Sequence, residues 1–203
     1  MEKMHSCKYK VRRLSLNLSA GGATPGSTLA TGLSQVRSFA QFGEAIYAPP
    51  LESFKHVRVL VFEVPGERSK LGAICHLFQL RYLKIASDVC IKLPDHVLQC
   101  LGTLDITDAR FAPVPWDVNF PRLLHLHMSL PVERDLLDWI DRTRSPSLMS
   151  LGKLNHLQEL HLTFSSRSTF QHVAKNMEAL GSLIGGHRNL KTVAVAQVSS
   201  VKN

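Results

Sequence analysis

The side chains best suited to chemistry lie in two short runs, "HLHM" at 125–128 and "ELHL" at 159–162. Alternate positions in each are polar: His125 and His127 in the first, Glu159 and His161 in the second. On a strand, residues two apart share a face. If the two runs are neighbouring strands, facing positions lie about 5 Å apart, and imidazoles meet a carboxylate. A set of that kind has the donors for a zinc site, or for acid–base chemistry in a metal-dependent hydrolase. Against this, outward positions stack in register on any repeating sheet, so polar neighbours arise by coincidence. No residue that would orient the ligands can be named from the sequence. The expectation is therefore a solvated or protein-contacting patch, with no metal, no cofactor and no catalytic residue. No glycine-rich phosphate loop or nucleophile elbow occurs. Cys7, Cys75, Cys90 and Cys100 form no CxxC pair, which fits reduced thiols in the cytoplasm.

What would place those runs side by side is a repeat. The pattern aliphatic, two variable residues, aliphatic, one variable, aliphatic occurs as "VRRLSL" at Val11, "VRVLVF" at Val57, "LRYLKI" at Leu80 and "LGTLDI" at Leu101. It continues as "LLHLHM" at Leu123, "LQELHL" at Leu157 and "LKTVAV" at Leu190. A degraded copy, "VRSFAQ" at Val36, carries Gln41 where an apolar residue is expected. Successive starts are 25, 21, 23, 21, 22, 34 and 33 residues apart. Most of these intervals fall within the ~20–29 residue period of leucine-rich repeats. The fold class expected is α/β: a leucine-rich-repeat solenoid, or horseshoe, with a parallel concave sheet and an irregular or helical convex side. Residues 1–203 then form one domain of about eight irregular repeats.

In "TLDI", Leu104 and Ile106 are expected to face the core and Thr103 and Asp105 to face outward. "LPDHV" at Leu93 and "VPWDV" at Val114 read as return paths, whose prolines restrict the backbone after a strand. Residues 18–35, small and glycine-rich, read as a loop insertion between the first two repeats. The longer intervals carry helical spacing, over about 169–184 and again in "VERDLLDWIDRTR". Both helices are expected to pack against the chain's own core.

Hydrophobic content of 44% supports a sizeable core, and no apolar stretch approaches the ~20 residues that cross a bilayer. The net charge of +8 arises from 24 basic residues set among 16 acidic ones. Only "KYKVRR", Lys8 to Arg13, is locally dense, and it reads as a solvated strand edge. No nucleic-acid partner is expected.

"VRVLVFEV", "LGAICHLFQLRYLKI", "IKLPDHVLQCLGTLDI" and "LMSLGKLNHLQELHL" resemble the leucine-rich-repeat region of plant nucleotide-binding leucine-rich-repeat disease resistance proteins, especially the cereal type with an N-terminal coiled coil. The likeness runs from about Val11 to Val195. It implies a non-enzymatic protein-interaction module of a cytoplasmic immune receptor. Such a module recognises a pathogen effector or a host target and holds a nucleotide-binding domain inactive. No GxxxxGK[ST] motif is present, so the nucleotide-binding domain itself is not in this chain and ATP binding is not implied. An F-box-type repeat substrate receptor is the alternative, which the missing F-box helices disfavour. On the concave face, Tyr82, Lys84, Thr103, Asp105, His125, His127, Glu159 and His161 form the candidate partner-binding band. Terminal repeats without polar caps would leave apolar rows open to self-association.

Overall fold

The computed structural model describes residues 11–18, 33–43, 51–64, 74, 76–87, 99–106, 120–130, 154–165, 180–181 and 184–198. Eight strands form one sheet in chain order: β1 Arg13–Leu18, β2 Ser38–Gly43, β3 Val59–Val64, β4 Tyr82–Ser87, β5 Thr103–Ile106, β6 His125–Leu130, β7 Glu159–Ser165 and β8 Thr192–Val198. Every neighbouring pair is parallel. One strand per repeat, always added to the same edge, is the architecture the six-residue motif implies.

The register explains why that motif is apolar at its fourth and sixth positions. Phe39, Leu60, Leu83, Leu104, Leu126 and Leu160 are aligned strand to strand. All six are fully buried. A second inward row contains Phe62 and Ile85, then Ile106, Met128 and Leu162, all buried. Gln41 sits in that row between Leu16 and Phe62, and it too is buried, with no hydrogen-bond partner for Oε1. The degraded copy is thus a real rung whose polar residue takes an apolar place.

A third apolar row, three residues ahead of five of the motifs, was not read from the sequence. Leu33, Phe54, Leu77, Phe120 and Leu154 are all buried. At four of these the carbonyl accepts from the amide three residues on: Val36 to Leu33 at 3.1 Å, Leu80 to Leu77 at 3.0 Å, Leu123 to Phe120 at 3.3 Å and Leu157 to Leu154 at 2.9 Å. These four rungs therefore enter the sheet through a tight turn that pairs backbone groups which would otherwise be left over.

At every joint between rungs one carbonyl serves two donors. Arg12 O accepts from the amides of Arg37 and Ser38, Arg37 O from Arg58 and Val59, and Arg58 O from Arg81 and Tyr82. The same scheme continues through Arg81, Gly102, Leu124 and Gln158. It stacks the second residue of every motif along the N-terminal edge of the sheet. Gly43, at the end of β2, has φ 84°, a left-handed conformation that glycine adopts without a steric cost.

Leu33–Gln35, at the close of the expected 18–35 loop, form a short 3-10 turn, and Leu51–Ser53 form another. Leu180, Gly181, Ile184 and Gly185 are helical, with Leu180 buried in the core. The rest of the expected 169–184 helix, the 132–144 helix and both proline return paths lie outside the described residues. No helix among the described residues is long and apolar enough to cross a membrane.

Candidate functional site

All eight residues of the expected band come together. Strand pairing aligns Tyr82, Thr103, His125 and Glu159 in one outward row, and Lys84, Asp105, His127 and His161 in the next. The block is bounded by neutral residues, Val59 and Val61 on β3 and Thr192 and Ala194 on β8. From β2 to β8, these four consecutive strands alone place polar residues at both outward positions; β1, two strands away from the block, does so as well with Arg13 and Ser15.

Within the block the side chains pair across strands instead of standing separately in solvent. Tyr82 OH donates to Asp105 Oδ2 at 3.5 Å, and Lys84 Nζ lies 3.5 Å from the same oxygen. Asp105 is outward as expected, yet it is 8% exposed, covered by its neighbours. Burial, followed by the Asp105 charge, raises the Tyr82 phenol above its usual range.

On the other half, His125 Nδ1 lies 2.6 Å from Glu159 Oε2, and His161 Nε2 lies 2.7 Å from Glu159 Oε1. The first contact is a hydrogen bond. The second is a close charge contact, which makes Glu159 Oε1 the polar atom that His161 Nε2 faces. His127 stacks on His161, ring centroids 4.4 Å apart and planes 13° from parallel, and His127 Nε2 lacks a partner. Burial, and then the neighbouring His161, lower the pKa of His127. The hydrogen bond from His125 is the main cause that holds Glu159 below the usual carboxylate range. His127, Glu159 and His161 bring one ligand atom each to within 4.8 Å of one another. The orienting residue that the sequence could not name is His125, which grips the carboxylate from the neighbouring strand.

A second feature was missed in the sequence. The second residues of the first four motifs are Arg12, Arg37, Arg58 and Arg81, and the backbone ladder stacks them in consecutive rungs. Lys191 takes the equivalent place in the last rung, Lys55, Arg122 and Arg188 lie in the turns one or two residues ahead of their motifs, and all eight side chains are exposed. Among the described residues no Asp or Glu lies at those edge positions. The signal was legible as "VRR", "VRS", "VRV" and "LRY", but basic residues about 22 positions apart look scattered until the repeat superimposes them.

A family model described as "Leucine-rich repeat region" matches residues 35–202. The chain is 40% identical to "Disease resistance protein RGA5" of Oryza sativa subsp. japonica over 92% of its own length and 18% of that protein. It is 32% identical to "Disease resistance protein Pik-2" and 34% identical to "Disease resistance protein PIK6-NP" of the same rice, over 56% and 58% of this chain and 12% of each relative. The chain thus spans less than a fifth of the length of the curated relatives it matches. No solved structure matches it.

Proposed function

This chain belongs to the leucine-rich-repeat family and is similar to the repeat region of cereal disease resistance proteins, and from that premise we propose that it is a non-enzymatic recognition module of a cytoplasmic immune receptor. Its partner is a protein: a pathogen effector, a host target, or the nucleotide-binding domain of the full-length receptor. The observation that carries the reading is the polar block itself. Eight side chains on β4 to β7 form one contiguous patch, flanked by small or apolar neighbours. Tyr82 is half-buried beside a charge pair, the setting in which aromatic anchors dominate binding energy.

The basic edge indicates the chemistry of the partner's surface. Like charges stacked at strand spacing, with no Asp or Glu at the described edge positions, are best matched by an acidic protein face, which also speeds encounter. A bait test follows. Chain immobilised and exposed to cereal leaf extract should retain a defined set of proteins. Tyr82→Ala and His127→Ala should each reduce that retention about tenfold or more. Both variants should keep the wild-type circular dichroism spectrum. Undiminished retention by both would remove the block as the contact site.

A further inference from the structure

We propose that His127, Glu159 and His161 constitute a binding site for one divalent transition-metal ion of the zinc class, with His125 positioning the carboxylate. Two imidazoles and a carboxylate are the donor set such ions prefer, while calcium and magnesium favour all-oxygen shells. Among the described residues, this is the trio of His, Cys, Asp or Glu side chains whose ligand atoms converge.

Three independent features favour an ion here over a chance polar group. First, the donors stand on two strands held in a six-pair parallel register, so backbone motion is not needed to assemble them. Second, Nε2 of His127 is sequestered from solvent without a hydrogen-bond partner, and Nε2 of His161, equally sequestered, faces only the Glu159 carboxylate. A buried nitrogen of that kind carries an unmet desolvation cost, which a metal bond would offset. Third, the carboxylate is already oriented: His125 holds Oε2 at 2.6 Å and leaves Oε1 turned toward His161 at 2.7 Å. Hydrogen-bonded carboxylate ligands are the usual arrangement behind a bound metal.

The geometry also states what binding must change. Donors around a tetrahedral zinc stand about 3.3 Å apart, given bonds of about 2.0–2.2 Å. The trio, within 4.8 Å, must close slightly. Two imidazoles stacked 13° from parallel cannot aim both lone pairs at one point, so one ring swings out of the stack when the ion enters. Three protein donors leave a fourth position on the concave face, for water or for a donor from a docked chain. The site needs no partner to form, so its test is separate from the partner-capture test.

Equilibrium dialysis of the whole chain against Zn2+ should leave about one ion per chain, and Co2+ should give visible d–d bands that Zn2+ abolishes. His161→Asn and Glu159→Gln should each weaken binding at least tenfold, and His125→Asn about tenfold, since it removes only the positioning contact. The double variant His56→Ala/His76→Ala, at exposed histidines, should bind as wild type. On the unmodified chain, Zn2+ should shift the ring-nitrogen resonances of His127 and His161 and leave His187 unmoved. The proposal fails if no ion is retained, or if His161→Asn retains it with an unchanged circular dichroism spectrum. It fails equally if retention is lost in the His56/His76 variant, or if the His127 and His161 resonances stay in place.

Discussion

Gln41 shows how one residue can fit the fold and still oppose its energetics. Its place between Leu16 and Phe62 in the second inward row is set by register, and its Oε1 is buried without a partner. A buried unsatisfied acceptor costs about 1–3 kcal/mol. Gln41→Leu should therefore stabilise the chain by about 1 kcal/mol or more, read as a higher midpoint in thermal or urea unfolding. An unchanged or lower midpoint would mean that the amide is satisfied in solution. The sequence marked this position as anomalous, but only burial shows that the anomaly lies inside the core. Asp105 is the converse case. Alternation places it outward, yet Tyr82 and Lys84 cover it, because side chains on neighbouring rungs are long enough to meet.

Among the elements, the strands follow directly from the motif. An aliphatic residue at every second position, flanked by polar ones, has one stable arrangement on a sheet with a single buried face. Leu126 lies at the middle of that arrangement, fully buried and aligned with Leu104 and Leu160. Leu126→Ala should cost about 2–5 kcal/mol, measured by chemical unfolding. The exposed Phe78 in the turn before β4 is the contrast, and Phe78→Ala should leave stability nearly unchanged. Gly43 closes β2 at positive φ, and Gly43→Ala should destabilise by about 1–2 kcal/mol, because a Cβ disfavours that conformation. The apolar row three residues ahead of five of the motifs was harder to see. It includes phenylalanine at two of its places, Phe54 and Phe120, and a six-residue pattern built from aliphatics passes over both. The candidate band was more accessible. Adjacent repeats imply adjacent strands, so the meeting of His125 with Glu159 and of His127 with His161 follows from the spacing alone. The hydrogen bond, the stacking and the unpartnered Nε2 of His127 depend on rotamers, which spacing leaves open.

For the molecule as a whole, charge and end effects dominate what can be expected of it. The basic edge is solvent-exposed, so its contribution to partner capture should weaken as the screening length falls from about 8 Å at physiological salt toward about 3 Å at 1 M. Arg58→Glu/Arg81→Glu should reduce capture at low salt and remove most of its salt dependence. A salt dependence identical to wild type would exclude the edge from the contact. At the last strand, Val193 and Val195 occupy inward rows yet are 36% and 40% exposed, and Val11 is 49% exposed near the first. An apolar row on an outermost rung invites a further strand. The 203-residue chain is therefore expected to self-associate in sedimentation velocity, and Val195→Lys to lessen that. A monodisperse monomer at high concentration would contradict the expectation.

Periodicity alone determined the solenoid, the strand order and the membership of the outward band, because each repeat must bury the same face against the one before it. Tertiary structure decided what the recurrence brings together. Arginines some 22 positions apart become neighbours along one edge, since the stacking period converts sequence distance into a single strand spacing. His125, Glu159, His161 and His127 become one connected group, because side-chain orientation and burial exist only once the rungs are stacked.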